Sequence, residues 1–343
     1  MVVRMRCVVI EKPKKVYLTE REMPALAAGF ARIRVKAAAI CATDLEVVDG
    51  NIPANYPLTP GHEWAGVVET VADERYAHWV GKRVTGSNDV TCGVCEACRS
   101  GNWRYCKDFE EIGFRRHGAY AEYIDVPAWG LVELPEDLPF THAALAEPLG
   151  VALGTWEKLA PEYGKTCMII GAGSIGLCCL AVARAMGMRK IVVVAASSKR
   201  LDVAKKMGAY ATVATREEDL FEAMRRYHPE GTDYIIEATG IEECIQNSFK
   251  LCKKGGYVAL AGYGRGRTMS IRIDDIHVNN LHVVGAGNNW NQHKKAIRMM
   301  ADGAVDMSPM ISETLDLSEF EKGLDDARNR PVGFIKAVFT FDD

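Results

Sequence analysis

The side chains best suited to chemistry in this sequence stand in two short stretches near the N-terminus. Cys41-Ala-Thr43-Asp44 offers a thiol, and Gly61-His62-Glu63 offers an imidazole and a carboxylate. These ligand types suit one Zn²⁺ ion, since catalytic zinc sites take three protein ligands and keep a further position open. Mixed S, N and O donors fit zinc better than magnesium or calcium, which prefer oxygen alone. Taken singly, the cysteine is better explained as a buried thiol and the histidine as a core residue, so the rest of the chain must decide.

Thr43 is the candidate for proton transfer. It lies two residues after Cys41, so an extended segment would point both side chains to the same face. Its hydroxyl could then carry a proton away from a bound alcohol. The alternative is an ordinary strand threonine.

Composition limits the class of protein. The 343 residues are enough for two domains, and 48% hydrophobic and 25% charged residues are typical of globular proteins. A net charge of −3 gives no reason to expect nucleic-acid or membrane-surface partners. No apolar run approaches the roughly 20 residues that span a bilayer, and the N-terminus has no signal-peptide pattern. Eleven cysteines in such a chain indicate metal sites or free thiols in a reducing, cytoplasmic compartment.

The hydrophobic pattern changes after residue 149. Before it, segments such as 31–37 alternate polar and apolar residues, as half-buried antiparallel strands do. From 165 to 287, β-branched runs alternate with helical patterns, which predicts βαβ units and a parallel sheet. Those runs lie at 166–170, 190–194, 233–237 and 256–260. A last strand at 334–341 could rejoin the first sheet, so the sequence predicts an α/β protein.

Four cysteines form a compact cluster: Cys92, Cys95, Cys98 and Cys106. Four thiolates at this spacing are typical of a closed, tetrahedral structural zinc site, which stabilises a loop and has no open position for chemistry. A ferredoxin-like iron–sulfur run also begins Cys-x-x-Cys-x-x-Cys, but its fourth Cys follows after three residues and precedes proline. Lys107 follows here, which favours zinc. Unmetallated thiols are the remaining alternative.

A glycine-rich turn, 171–176, follows an apolar run and opens a helical pattern, which is the context of a dinucleotide-binding turn. Gly171 would permit the tight turn, Gly173 the approach of a pyrophosphate, and Gly176 close helix packing. The free N–H groups at the helix start, at Ser174 and Ile175, would bind the phosphates. The alternative is a similar turn without a ligand.

The end of the second strand of this region predicts NADP(H) over NAD(H). NAD enzymes place an Asp or Glu there to bind the ribose 2′-OH. This chain instead reads Ser197, Ser198, Lys199 and Arg200, and its first carboxylate, Asp202, already lies in the next helix. The hydroxyls and cations would bind a 2′-phosphate. The alternative is that these basic residues only occupy a helix start, but cations are disfavoured there, so a bound anion explains them better.

The ordered set of Cys41-x-Thr43-Asp44, Gly61-His62-Glu63, the four-cysteine lobe, Glu147-Pro148 and the glycine-rich turn resembles the zinc-dependent medium-chain alcohol and polyol dehydrogenases. The match covers essentially the full chain. The resemblance implies a GroES-like, β-rich catalytic domain at 1–150 with a structural-zinc lobe at about 89–108. It also implies a Rossmann domain with a doubly wound parallel sheet at 151–287, and a return to the catalytic domain at 288–343.

By this resemblance two zinc ions bind per chain, and Cys41, His62 and either Glu63 or Glu147 hold the catalytic one. Simple alcohol dehydrogenases often have a second Cys where this chain has Glu147. That difference places the chain nearer the sorbitol, threonine and sugar-alcohol dehydrogenase branch. Gly113-Phe114 together with residues 118–123 resembles the galactitol-phosphate and deoxy-scyllo-inosamine dehydrogenases, without deciding between them. Taken alone, Glu147 could be a buried carboxylate at a helix start.

The chemistry of the ion then assigns roles to the neighbours. Zinc lowers the pKa of a bound hydroxyl, and the Rossmann domain holds the nicotinamide for hydride transfer. Thr43 would relay the proton outward, and Asp44 would orient His62, as metal-bound imidazoles usually require. An ordinary turn aspartate is the alternative for Asp44.

The predicted function is hydride transfer between NADP(H) and the secondary alcohol or ketone of a polyol, sugar derivative or aminocyclitol. Segments 47–56 and 114–117 are expected at the cleft mouth, where Arg115 and Arg116 could bind a phosphate or carboxylate, although such pairs are more often solvated turns. The alternatives are an NAD-dependent simple alcohol or threonine-like dehydrogenase, and a zinc-binding structural protein without turnover. Similar enzymes form dimers or tetramers, and an apolar edge at 283–284 is a plausible pairing strand.

Overall fold

The computed structural model describes residues 4–287 and 291–342. Asn288, Asn289 and Trp290, which the sequence analysis places near the cofactor or a subunit interface, lie outside the described residues. None of the eleven cysteines forms a disulfide. Among the described helices, none combines the length and the apolar character needed to cross a bilayer.

The first part of the chain consists mainly of strands that bury every second side chain. The longest, Phe30–Ala39, has this alternation over most of its length, as the sequence predicts. The elements in chain order are β1 Arg4–Lys12, β2 Lys15–Glu22, β3 Phe30–Ala39, α1 Ala42–Asp49, β4 Glu63–Val71, β5 Arg83–Gly86, β6 Asp89–Val90, α2 Glu96–Arg99, β7 Glu110–Glu111, β8 Tyr123–Pro127, β9 Leu131–Glu133, α3 Phe140–Ala143 and α4 Ala146–Leu159.

The second part alternates strands and helices. Its elements are β10 Thr166–Ile170, α5 Ser174–Ala185, β11 Arg189–Ala195, α6 Leu201–Lys206, β12 Ala211–Ala214, α7 Leu220–Tyr227, β13 Thr232–Glu237, α8 Glu242–Leu251, β14 Cys252–Leu260, α9 Ile273–His277, β15 His282–Gly285 and α10 Asn291–Ala301. The strands form a parallel sheet in the order β12-β11-β10-β13-β14-β15. This is the doubly wound order of a Rossmann fold, whose ligand crevice opens between β10 and β13. The predicted α/β class is confirmed.

The last part of the chain rejoins the first sheet. It contains β16 Ile311–Asp316, α11 Phe320–Asn329 and β17 Lys336–Thr340. Strand β17 pairs antiparallel with β3, which gives the sheet order β16-β17-β3-β4-β5-β9, with β8 also on β3. The predicted strand at 334–341 therefore forms and pairs as expected. Short 3₁₀ helices lie at Glu74–Trp79, Trp103–Tyr105, Ala128–Gly130, Ser198–Arg200, Ser308–Met310 and Leu317–Glu319.

The two sheets share a continuous apolar core through α4. Trp156 of this helix is fully buried and donates a hydrogen bond to the Cys179 carbonyl of α5 at 3.1 Å. Ala37 and Ala39 of β3 belong to the same core cluster. An ion pair also joins the two halves of the chain, since Arg265, beyond β14, lies 2.9 Å from the Glu46 carboxylate of α1. Helix α1 is thereby held against the Rossmann domain.

Candidate active site

The start of α1 is organised by the buried carboxylate of Asp44. Its Oδ2 accepts hydrogen bonds from the backbone N–H of Cys41 at 2.9 Å and from the Tyr120 hydroxyl at 2.6 Å. Its Oδ1 lies 3.2 Å from Nδ1 of His62. Burial acts to raise the pKa of Asp44, but the imidazole and these hydrogen bonds lower it overall. The group is therefore an ionised acceptor that fixes three neighbours.

The Asp44 contact determines which nitrogen of His62 is available. Because Nδ1 faces the carboxylate and donates to it, Nε2 is the nitrogen left to bind a metal, which would replace any proton there. Burial acts to lower the pKa of His62, while the charges of Asp44 and Cys41 raise it. The contact that the sequence predicts between Asp44 and His62 is therefore present in the structure.

Thr43 lies in a helix and not in the extended segment that the sequence analysis assumes. Cys41 is the N-cap of α1, so Thr43 stands in the first helical turn. Its hydroxyl nevertheless donates to the Cys41 Sγ at 3.1 Å and lies 3.5 Å from Nε2 of His62. The first turn of the helix, and not the alternation of a strand, brings the side chains of Cys41 and Thr43 together.

Glu63 has a partner that the sequence analysis missed. The Lys336 Nζ lies 2.7 and 2.6 Å from the two Glu63 carboxylate oxygens, and both side chains are almost completely buried. Burial acts to lower the pKa of Lys336, but the Glu63 charge raises it. Strands β17 and β4 flank β3, so the two residues meet across one strand. The sequence signal that could have revealed this pair is Lys336 itself, a lysine at the start of an otherwise apolar strand.

The two acidic candidates differ in position. Ligand atoms of Cys41, His62 and Glu63 lie within 4.8 Å of one another, whereas Glu147 is outside this group. Glu147 stands in the first turn of α4. Burial raises the pKa of Glu147 to about 7, opposed by the charge of His62 and reinforced by that of Glu63. The charge of Glu147 still interacts with those of His62 and Glu63, so both Glu63 and Glu147 remain candidates for the third metal ligand.

The donor set fits a zinc ion. Within the described residues, the cluster presents one sulfur, one imidazole nitrogen and a carboxylate, which is a typical zinc combination. Burial is the largest cause of the raised pKa of Glu147, and the charges of His62 and Lys336 only partly offset it. A divalent cation would supply further positive charge and favour the ionised carboxylate.

The four-cysteine lobe also has the dimensions of a zinc site. Its Sγ–Sγ distances are 3.4 Å for Cys95–Cys98, 3.6 Å for Cys92–Cys106 and 3.9 Å for Cys92–Cys98. A regular tetrahedron with Zn–S bonds of 2.3 Å has edges of about 3.8 Å. A backbone hydrogen bond from Cys98, with further sulfur contacts, lowers the pKa of Cys95 to about 6, which favours the thiolate. The lobe therefore fits a closed tetrathiolate site.

The glycine-rich turn has room for a pyrophosphate. Gly171 has a φ of 112°, which an L side chain rarely adopts. A Cβ at Gly176 would lie 1.8 Å from the Gly171 carbonyl oxygen, whereas one at Gly173 would meet nothing within 4 Å. The Ser174 Oγ is buried and has no hydrogen-bond partner among the described residues. Open space and an unsatisfied hydroxyl at the start of α5 fit a bound dinucleotide.

The predicted 2′-phosphate residues follow β11, as expected. Ser198–Arg200 form a 3₁₀ turn before α6, and Arg200 is half-buried without a hydrogen bond or ion pair to any described residue. Burial and the nearby charge of Arg330 lower the pKa of Arg200. The sequence analysis missed two neighbours, Arg330 beyond α11 and Glu217 beyond β12. A carboxylate oxygen of Glu217 lies 3.4 Å from the Ser198 N–H.

The segment 114–117 begins at the metal cluster. The Phe114 ring lies 5.0 Å from the His62 ring, between ring centroids. Arg116 pairs with Glu110 and stacks on Phe30, as a surface residue would. Arg115 instead lines a cavity of about 410 Å³ together with residues of the 52–53 loop and Glu111. The two arginines thus have different partners, although both line one cavity of the GroES-like domain.

Comparison with known proteins identifies the family. The model for the alcohol dehydrogenase GroES-like domain matches residues 27–136, and the model for zinc-binding dehydrogenases matches residues 174–302. The L-threonine 3-dehydrogenase of Aeromonas hydrophila subsp. hydrophila is 30% identical over 97% of this chain and 98% of its own length. The chain belongs to the zinc-dependent medium-chain dehydrogenases. It is an NAD(P)-dependent alcohol dehydrogenase with a GroES-like domain and a Rossmann domain, as the sequence predicts.

Two solved structures illustrate the relationship. A zinc-binding dehydrogenase from Sinorhizobium meliloti 1021, solved with bound NADP, superposes with a TM-score of 0.91 at 30% identity and covers 99% of this chain and all of its own. Galactitol-1-phosphate dehydrogenase from Escherichia coli superposes with a TM-score of 0.89 at 25% identity and covers 98% of this chain and 100% of its own. The likeness therefore extends over both domains of the enzyme.

Replacing Asp44 should weaken the metal site without unfolding the enzyme. In Asp44→Asn the amide cannot accept from three donors as the carboxylate does, so His62 loses its orientation. We expect zinc affinity at the Cys41–His62 site to fall about 10–100-fold, the usual cost of losing such a partner. Competition with a chromophoric zinc chelator measures it. Asp49→Asn, which alters a surface pair with Arg328 on the same helix, is the control. Unchanged zinc affinity in Asp44→Asn would contradict the role given to this carboxylate.

Proposed function

We propose that the enzyme transfers a hydride between NADP(H) and the secondary alcohol or ketone of a polyol, sugar derivative or aminocyclitol. The observation that carries the proposal is the convergence of three groups at the start of α1. The Thr43 hydroxyl lies 3.1 Å from the Cys41 sulfur and 3.5 Å from Nε2 of His62. A proton-transferring hydroxyl thus stands beside both metal-binding candidates, which an inert structural site would not require.

The residues of the chain have distinct tasks in this proposal. Cys41, His62 and Glu63 or Glu147 hold the catalytic zinc, and the four-cysteine lobe holds a second, structural zinc. When bound, the catalytic ion supplies a Lewis acid that favours the ionised form of an alcohol near neutral pH. The Thr43 hydroxyl accepts the proton of the alcohol and passes it towards solvent.

The charges around Glu63 and Glu147 support an exchange of these two residues as the third metal ligand. Lys336 neutralises Glu63 and holds it through two hydrogen bonds, so this carboxylate has a competing partner. Glu147 is the other carboxylate beside the cluster, and its charge interacts with those of His62 and Glu63. We therefore propose that Glu147 completes the metal site when Glu63 is held by Lys336.

A second candidate function is NAD-dependent oxidation of an amino alcohol. It is supported by the L-threonine 3-dehydrogenases among the relatives and by the carboxylate of Glu217 near Ser198, which could bind a ribose hydroxyl. The polyol proposal is supported by the galactitol-1-phosphate enzyme, which shares the fold over the whole chain.

A substrate panel separates these functions. Zinc-repleted enzyme is assayed with polyols, sugar derivatives, aminocyclitols, threonine and ethanol, and reduced nicotinamide is followed by absorbance. We expect the highest kcat/KM with a polyol or sugar-derived secondary alcohol. A preference for threonine would favour the second candidate, and no turnover with either cofactor would contradict enzymatic function.

Thr43 variants show that any turnover arises at this site. Thr43→Val removes the hydroxyl and should lower kcat at least about 100-fold, the usual contribution of a positioned proton-transfer group. Thr43→Ser keeps the hydroxyl and should retain most activity. Equal zinc content in both variants excludes loss of the metal as the cause.

The preference for NADP(H) rests on Arg200. It is a half-buried cation without a described anionic partner, and Arg330 adds a second positive charge nearby. A buried unpaired cation is unfavourable until an anion binds, and a 2′-phosphate would supply that anion. The NADP-bound relative supports the same cofactor.

Cofactor preference is tested by kcat/KM with NADP and NAD on one substrate. We expect NADP to be preferred, and Arg200→Gln to reduce the NADP/NAD ratio about tenfold or more, since it removes charge-assisted hydrogen bonds. Lys205→Gln, at an exposed position of α6 that pairs with Asp202, is the control. An NAD preference in the wild type, or an unchanged ratio in Arg200→Gln, would contradict the assignment. In that case Glu217→Gln should lower the NAD efficiency.

We also propose a homo-oligomer, a dimer or tetramer, that forms in the cytoplasm. Strand β15 is the last strand of the Rossmann sheet, and its outer edge pairs with no described strand. Val283 and Val284 are only half-buried there, and such edges favour association. Eleven free cysteines are typical of a reducing compartment.

A further inference from the structure

A cavity of about 460 Å³ lies in the GroES-like domain, outside the site described above. Six charged residues line it: Arg21, Arg32, Arg115, Arg116, Glu110 and Asp125. None of the candidate metal or cofactor residues belongs to its wall. Four positive and two negative charges therefore share a space that is large enough for a small molecule.

The two carboxylates are already paired within the wall. Arg32 contacts both oxygens of Asp125, at 2.8 and 2.9 Å. Arg116 lies 2.5 Å from a Glu110 oxygen. Arg21 and Arg115 are left without an ion pair to any residue in the described ranges. The uncompensated charge of the cavity is thus carried by these two arginines.

Of these two arginines, Arg21 has the stronger need for an anionic partner. It faces Met5 across the β1–β2 hairpin and is half-buried. Its Nε is shielded from solvent and has no hydrogen-bond acceptor among the described residues. Burial lowers the pKa of Arg21, with only partial compensation from Cys7 and Asp125. A buried donor of a charged group without an acceptor is costly, and such a group calls for a ligand.

His117 adds a neutral donor to the same wall. Its Nδ1 accepts a hydrogen bond from the Thr59 N–H at 3.1 Å, so Nε2 carries the ring proton. Desolvation and the charge of Arg21 lower the pKa of His117 to about 4, so the ring is neutral near pH 7. Pro57 and Leu58 provide apolar surface beside these donors.

We propose that this cavity binds a small organic oxyanion, a phosphate monoester or a carboxylate, between Arg21 and Arg115. The planar guanidinium presents paired donors that match both oxyanions, and the apolar wall accommodates a short carbon skeleton. Arg115 follows Phe114, which contacts His62, so the site adjoins the active-site segment without containing a reacting group. The site is independent of the proposed hydride transfer.

Binding is measured by titration calorimetry on the zinc-loaded enzyme in phosphate-free buffer. The probes are inorganic phosphate, glucose 6-phosphate and succinate, which separate a phosphate monoester from the bare anion and from a carboxylate. We expect at least one organic probe to bind the wild type, and Arg21→Gln and Arg115→Gln each to weaken it about tenfold or more. Arg115 is exposed, so Arg115→Gln should fold, and it provides the test if Arg21→Gln does not fold.

Two control variants locate the binding. Arg4→Gln lies on the same hairpin as Arg21 but alters an exposed pair with Glu20. Arg200→Gln alters the proposed cofactor phosphate site. Both should bind the probe like the wild type. The proposal is overturned if no organic probe binds at about 10 mM, a threshold far weaker than functional affinities. It is also overturned if Arg200→Gln abolishes binding while Arg21→Gln and Arg115→Gln retain it.

Discussion

The active-site geometry depends on one buried carboxylate. Asp44 accepts hydrogen bonds from the Cys41 backbone, the Tyr120 hydroxyl and the His62 imidazole, and each of these groups belongs to a different segment of the chain. A buried charge is stable only when it is paired and hydrogen-bonded, so the fold must keep all three donors in place. The same contacts cap α1, fix the orientation of the imidazole and thereby leave Nε2 beside the Thr43 hydroxyl.

Close backbone packing makes that arrangement possible. Gly61 has a φ of 98°, and a Cβ there would lie 2.4 Å from the Tyr120 ring. A Cβ at Gly118 would lie 2.2 Å from the Gly61 carbonyl oxygen. A larger residue at Gly61 would push the Tyr120 ring away from Asp44, whose carboxylate accepts a hydrogen bond from the Tyr120 hydroxyl. On the opposite side of β3, Lys336 neutralises the second buried acid, Glu63. Two buried acids, Asp44 and Glu63, thus lie near the end of strand β3, and each has its own hydrogen-bond donors.

Local sequence patterns predict the Rossmann strands well because buried parallel strands are continuous apolar runs. Strand β10 covers the predicted residues 166–170, and the glycine-rich turn follows it directly. The helical position of Thr43 was not predictable in the same way, because α1 is capped by Cys41, which is not a usual N-cap residue. The Lys336–Glu63 pair depends on the order β17-β3-β4, and no local pattern encodes a contact between residues 273 positions apart. For the same reason the different partners of Arg115 and Arg116 emerged only from the fold.

We propose that this enzyme holds a catalytic zinc in the cluster organised by Asp44 and a structural zinc in the four-cysteine lobe. Anomalous diffraction at the zinc edge, from crystals of the zinc-repleted protein, tests it most directly. Two peaks per chain are expected. One should lie about 2.3 Å from each of the four lobe sulfurs, and the other at bonding distance from the Cys41 Sγ and His62 Nε2, about 2.3 and 2.1 Å. A single peak in the lobe, or a second peak bound through other atoms, would contradict it.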